Sequence, residues 1–374
     1  MTITIVRPGE LGPTEIAAWH AMQGQTPALG NPFLSPEFAI AVGRLRPAAR
    51  VAVIDDGQHI TGFFAFERQA LGAGVPIAWG LSDCQGLVHA PGARWDAQAL
   101  LKACGISVWQ FDHLTAGQQG FSPYQAALHP SPVMDLSRGF TAYLAALGAT
   151  SPALLSGLRR KERKLAREAG DVYVSTDSRD LTALRTLMGW KSDQYRRTGR
   201  LDRFSQPWII DLLDSLHATR GTGLRGLLSV LHAGGKPVAA HFGLQAGPIL
   251  SYWFPAYDVS FAKYSPGLML QLKVAEQVTD AGVRLIDLGK GKMQYKESTK
   301  SHDLFVAEGI VTSRSPLGMA HWARRAPQAW AVRRIRANPA LFSAADTVLR
   351  HGARVRGAVL GAAPASGRAT APEA

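Results

Sequence analysis

Residues 235–299 read GKPVAAHFGLQAGPILSYWFPAYDVSFAKYSPGLMLQLKVAEQVTDAGVRLIDLGKGKMQYKEST, and their order of apolar runs, turns and one helix decides the fold class. Lys236-Pro237 opens a run of small and apolar residues (Val238, Ala239, Ala240, Phe242, Leu244), which Ala246-Gly247-Pro248 turns. The aromatic-rich run Ile249–Phe254 is the next strand and stops at Pro255. Ser265-Pro266-Gly267 starts a helix, because serine caps and proline is tolerated in the first turn. Leu268, Leu272, Ala275 and Val278, with Leu270 and Val274, give that helix an apolar stripe; Ala281-Gly282 ends it and Arg284–Leu288 is a short strand. A short polar segment follows. Strand, helix and strand in this order predict a parallel step with a right-handed crossover.

The first turn of such a helix offers free N–H groups with the helix dipole behind them, a place for a phosphate or pyrophosphate. Lys263, Tyr264 and Ser265 stand at that mouth. Most helices begin without a ligand, so on these residues alone an ordinary cap is the plainer reading.

Outward from this stretch, Leu224–His232 and Leu304–Thr312 extend the sheet, which reads as mixed: a hairpin series continued by one parallel step. Residues 1–140 form a second α/β unit. Helices are predicted at Glu15–Met22, Pro36–Leu45 and Asp96–Ala103, and strands at Arg50–Ile54, Ile60–Phe66, Trp79–Val88 and Ser107–Phe111. Ser82-Asp83 reads as a polar turn, and catalysis is not placed there. Gly139–Leu147, Ser151–Ala169, Leu181–Tyr195 and Pro207–Thr219 read as helices, Asp171–Ser175 as a strand, and Arg196, Arg197, Arg200 and Arg203 crowd one interhelical loop. The domain division expected is 1–140, 141–315 and a basic tail at 316–374. Trp322–Ile335 reads as at best a broken helix, Ala344–Val355 as an amphipathic one, and 361–374 as low-complexity and expected to be disordered.

At 374 residues two domains are the natural prior, and 46% hydrophobic against 18% charged content suffices for a core in each. The net charge of +13 is uneven: residues 314–374 hold ten arginines against Asp346 and Glu373, a net +8. A second knot is Arg159-Arg160-Lys161-Glu162-Arg163-Lys164. Such clusters attract anions of many kinds; a solvated basic face is the expectation, with peripheral contact to an anionic membrane or a partner as the alternative reading. No aromatics interleave with them in a nucleic-acid-binding pattern. No secretory signal and no apolar run of about 18 residues is present, so a cytoplasmic protein is expected. Cys84 and Cys104 lack metal-ligand spacing; no metal is expected and both thiols read as inert.

Several residues suit acid–base chemistry, which needs a base for an incoming nucleophile and donors for developing charge and a leaving group. His241, mid-strand among small residues, is a candidate base or a core histidine. Asp287 ends a strand, where ligands gather in α/β sheets, although an aspartate before glycine is also a common turn device. Lys296 is placed to pair with Asp287 or to hold an anionic acceptor, and Tyr257 and Asp258 shape the loop before the helix. No Ser-His-Asp order or G-x-S-x-G elbow is visible, which favours direct attack over an acyl-enzyme.

The runs PAYD (255–258), YSPGLML (264–270), DLGKG (287–291) and YK (295–296), with NPFLSPEF (31–38) and LSDCQGLV (81–88), resemble the GNAT-type acyltransferases of the CelD/BcsL-like group, related to the FemAB peptidyltransferases. The resemblance spans roughly 25–315. It implies α/β (α+β) tandem GNAT-like folds, with mixed, mostly antiparallel sheets flanked by helices. It implies acetyl-CoA or another acyl-CoA as co-substrate, bound by Phe254, Lys263, Tyr264, Ser265, Pro266, Gly267 and Leu268. Tyr295 matches the family's proton donor to the departing thiolate, while Trp190, Lys191 and Tyr195 fall where acceptors bind. The glycine-rich Q/R-x-x-G-x-G/A loop of typical members is absent. The acceptor context implied is a sugar of the cell envelope or an exopolysaccharide, with peripheral contact to a polysaccharide synthase. Two other readings stay open: a FemAB-like transferase using aminoacyl-tRNA, and a non-catalytic partner of a polysaccharide synthase.

Overall fold

The computed structural model describes residues 2–321. The segments expected at Trp322–Ile335, Ala344–Val355 and 361–374 lie outside the described residues. One mixed sheet runs through the chain: β1 (Thr2–Val6), β2 (Ala49–Asp55), β3 (Ile60–Arg68), β4 (Ala73–Pro76), β5 (Leu87–His89), β6 (Val108–Leu114), β7 (Gln125–Asp135), β8 (Val172–Ser175), β9 (Arg225–Ala233), β10 (Lys236–Ala246), β11 (Ile249–Tyr257), β12 (Leu285–Asp287) and β13 (His302–Thr312). The order is β1-β2-β3-β4-β6-β13-β7-β12-β11-β10-β9-β8, with β5 on β3. Pairs are antiparallel except β4 with β6 and β11 with β12. β13, last in sequence, lies between β6 and β7. The C-terminal segment thus completes the sheet of the N-terminal one.

Helices cover both faces: α1 (Pro13–Gln25), α2 (Pro36–Leu45), α3 (Ala97–Cys104), α4 (Phe140–Thr150), α5 (Pro152–Ala169), α6 (Leu181–Arg197), α7 (Pro207–Ala218), α8 (Pro266–Asp280) and α9 (Gln294–Thr299). Side chains of α1, α2, α6 and α7 share one core over one face, while those of α4, α5 and α8 cover β9–β12 on the other. The short α9 occupies what reads in the sequence as a polar segment. Local chemistry explains the boundaries. Ser35 Oγ accepts from the Phe38 amide at 3.2 Å and Pro36 takes the first turn of α2. The buried face of α8 is carried by Met269, Leu270, Gln271, Val274, Ala275 and Val278, so Leu268 and Leu272 are only partly covered.

Two expectations change. The strand expected over Trp79–Val88 survives only as β5, because Ala78 (φ 53°), Gly80 (φ 80°) and Gly86 (φ 149°) break extended geometry before it. Conversely β7 has no strand signature, since Pro130 and Pro132 argue against a place inside a sheet. It is nevertheless paired with β13 along its length, and the carbonyls of both prolines accept from Gly291 and Leu288.

Candidate active site

β11 and β12 run together for three residue pairs only, ending at Ser251 opposite Asp287. Beyond that point β11 keeps β10 on one side and loses its neighbour on the other. The gap is a cavity of about 480 Å³ floored by Tyr252, Pro255 and Ala256. Ser265, Pro266, Gly267 and Leu268 at the start of α8 form one wall, Tyr295 and Met293 a second, and Trp190, Lys191 and Tyr195 of α6 a third. A second cavity of about 380 Å³ is lined by Asp83, Arg203, Leu201, Trp253 and Phe254. Tyr195 and Arg200 line both, so the two are neighbours across one wall.

The mouth of α8 differs from a serine-capped helix. Ser265 sits in the left-handed region (φ 57°) and its side chain makes no cap bond; its Oγ instead accepts from Lys161 Nζ of α5 at 2.8 Å. The knot of basic residues on α5 therefore reaches the place where an anion was expected. Lys263 and Tyr264 line neither cavity, and both bond Glu168 of α5. Asp258 caps the turn that follows it, accepting from the Ser260 amide at 2.9 Å, and Tyr257 lines the first cavity. Phe254 belongs to the second cavity rather than to the first.

His241 reaches neither cavity. Its ring is fully buried, stacked at 3.6 Å on Tyr252, and neither nitrogen has a polar partner. Burial holds it down to about 3, so it stays neutral at the pH where a base is wanted. Asp287 is also buried, beneath the point where β11 and β12 part; it accepts from Asn31, Ser131 and the Gly289 amide. Burial raises its pKa, against the pull of the Gly289 and Ser131 hydrogen bonds. Lys296 donates to the carbonyls of Gly289 at 2.8 Å and Lys290 at 3.1 Å, pinning the β12–α9 loop, and burial lowers its pKa against the attraction of Asp83 and Asp287. Both residues frame the site from below.

Lys191, Tyr295 and Asp83 are among the titratable groups that line the cavities, with Tyr195, Arg200 and Arg203 beside them. Burial pushes Lys191 down to about 8, helped by Arg200 and Lys296, while its Nζ donates to the Pro255 carbonyl at 3.0 Å. Burial, with Asp83 nearby, raises Tyr295, which stays protonated. In the sequence Asp83 reads only as part of a polar Ser82-Asp83 turn where catalysis is not placed, whereas the structure brings it to the lining of the second cavity. Its pKa is raised, first by burial, against His113; with 32% of its side chain still open, it meets both the fold and the second cavity. His113 Nε2 lies 3.8 Å from Asp83, and its Nδ1 lies 2.8 Å from Asp112. Arg200 and Arg203 have no carboxylate partner among the described residues.

The loop carrying Asp83 is irregular but well held. Trp253 Nε1 donates to the Leu81 carbonyl at 3.0 Å, Ser82 Oγ to that of Ile77 at 2.9 Å, and Gln85 Nε2 to Asp112 at 2.7 Å. Glu67, buried against Arg46, accepts from the Ala78 amide. A sequence signal existed in the polar LSDCQG run, but nothing local ties it to residues near 200 and 290. Among the described residues no group of side chains is arranged to hold a metal ion, and no helix is long and apolar enough to cross a membrane.

Comparison with known proteins places this geometry. No curated protein matches the chain. FemX, at 12% identity, aligns over 83% of this chain and 96% of its own with a TM-score of 0.54. A conserved protein of unknown function from Bacteroides thetaiotaomicron aligns over 82% and 100% at 13% identity, with a TM-score of 0.52. A tandem GNAT protein from the clavulanic acid biosynthesis pathway aligns over 83% and 98% at 11% identity, with a TM-score of 0.45. At these identities the likeness to FemX and the Bacteroides protein is one of fold. Residues 154–297, which carry β11, α8 and Tyr295, match the family model of the Acetyltransferase (GNAT) domain.

Proposed function

We propose that this protein is an acyltransferase that moves an acyl group, acetyl first among them, from acyl-CoA to an amine or hydroxyl by direct attack. The observation that carries it is the parting of β11 from β12 over a cavity that runs from the start of α8 to Tyr295. An exposed strand edge there suits an extended amide-bearing chain, and the α8 terminus with Lys161 suits its phosphates. In this reading Tyr295 gives a proton to the leaving thiolate. Asp83 or Lys191 takes one from the acceptor as the nitrogen or oxygen bonds to the acyl carbon and the C–S bond breaks. The division into 1–140 and 141–315 then has a purpose: the second part holds the donor and the first supplies Asp83.

The acceptor belongs in the second cavity. Aromatic Trp253, Phe254 and Tyr195 beside Asp83, Arg200 and Arg203 suit a sugar ring with polar or anionic substituents. That agrees with the resemblance to the cellulose- and exopolysaccharide-associated group. A donor of aminoacyl-tRNA type has one observation in favour: Arg159, Arg160, Arg163 and Arg167 are exposed along α5, outside any ion pair among the described residues.

Calorimetric titration with acetyl-CoA, longer acyl-CoAs and CoA tests the reading. Saturable binding weakened by Lys161→Glu supports it. No heat from folded protein overturns it and turns attention to tRNA and to a scaffold role.

A further inference from the structure

A third cavity, of about 330 Å³, lies at the opposite end of β9 and β10 from the acyl-transfer site and is lined by Asp177, Arg220, Gly221, Thr222, Arg225 and Gln245. Arg220 and Arg225 are bridge partners across the short turn Gly221-Thr222-Gly223-Leu224. Both guanidinium groups lean on one carboxylate: Arg220 Nη2 lies 3.1 Å from Asp177 Oδ1, and Arg225 Nη2 donates to Oδ2 at 3.2 Å. Asp177 is itself held in the left-handed region (φ 53°), a conformation unfavourable for a residue with a Cβ.

Two arginines on one aspartate leave a positive charge uncompensated, and Arg179 adds a third cation close by. The arginines are partly screened from water, with side chains 19% and 33% exposed and the Nε of each buried without a partner, while Gly221 and Thr222 stay exposed. Excess like charge with unmade hydrogen bonds is costly until an anion joins it. The turn between the arginines adds suitable donors. The amides of Gly221 and Thr222 and the Thr222 hydroxyl have no protein partner among the described residues. Arg220 Nη1 already donates to the His217 and Thr219 carbonyls, which leaves its Nη2, the Arg225 guanidinium, the two backbone amides and the hydroxyl; donors arriving from several directions suit a tetrahedral oxyanion better than a planar carboxylate.

We infer that this cavity binds a phosphate group, free or carried as a phosphomonoester on a small molecule, through Arg220, Arg225 and the Gly221–Thr222 turn. The site shares no lining residue with the acyl-transfer cavities, so it stands or falls separately from the proposed function.

Calorimetric titration of the full chain with inorganic phosphate and glycerol 3-phosphate, with acetate as control, tests it. Both phosphate probes are expected to bind saturably, more tightly than acetate, and the tighter of the two tells free phosphate from an ester. Arg225→Gln should weaken binding about tenfold, with acetyl-CoA affinity unchanged. Asp177→Asn should tighten it by freeing both guanidinium groups, the reverse of what a purely structural ion triplet allows. If Arg225→Gln does not fold, the sign of the Asp177→Asn change decides alone. No saturable heat from either probe, or binding lost in Arg200→Gln while Arg225→Gln keeps it, overturns the inference.

Discussion

Asn31 Nδ2 donates a 3.1 Å hydrogen bond to Asp287 Oδ2 across 256 residues of sequence. Ser131 and the Gly289 amide, each at 2.9 Å, complete the ring of donors around that carboxylate. Three distant segments therefore meet at the residue where β12 ends its pairing with β11. The first cavity opens just beyond this node.

Asp287→Ala would leave the Asn31 and Ser131 donors buried without an acceptor. A loss of about 2–4 kcal/mol in unfolding free energy is expected, measured by urea denaturation. A loss nearer 1 kcal/mol would mean that Asp287 only caps its own turn.

His241 is held neutral by burial, with its pKa lowered to about 3 from 6.5. Between those values the unfolded chain binds a proton that the folded one does not, so stability is lost as pH falls through that window. His241→Phe should remove this acid sensitivity, match or exceed wild-type stability at pH 7, and retain acyl transfer. Loss of transfer with intact folding would make His241 part of the chemistry.

Lys191 is the alkaline counterpart, lowered to about 8 from 10.5. Across that interval the unfolded chain holds the extra proton, so folding stability rises with pH. Denaturation of wild type and Lys191→Met between pH 7 and 10 should show the rise only in wild type.

Asp83→Asn keeps the shape of its loop while removing a proton acceptor. A fall in kcat of about a hundredfold is expected, with acetyl-CoA affinity unchanged, on whichever acceptor an activity screen provides. Equal losses in both would mean that Asp83 supports the cavity wall rather than the reaction.

Cys84 and Cys104 are both buried, and burial raises both thiols, Cys104 to about 12. Neither should react with a maleimide at pH 7 until the protein unfolds, as mass spectrometry of timed samples would show.

Period and punctuation in the sequence determined most elements on their own. The continuous apolar runs and turns of 236–257 specify β10 and β11, because a short apolar run between turn signals suits a strand buried on both faces. Pro36–Leu45 and Ser265–Asp280 read as helices because a cap, a proline and a stripe all lie within one segment. The start of α8 was legible as a site candidate for the same local reason, whereas Tyr295, Trp190, Lys191 and Tyr195 were candidates through the family resemblance. Only the tertiary structure decided the rest. β7 is a strand despite two prolines because β13 pairs with it, and no local pattern announces a partner some 170 residues away. His241 lies among small residues, and its burial is completed by Tyr252 stacking on it. Asp83 joins Arg200 and Arg203 because Trp253 anchors the Leu81 carbonyl. Local residue order sets backbone conformation, whereas a site assembled from residues near 30, 83, 200 and 290 depends on how distant segments pack, which no single stretch encodes.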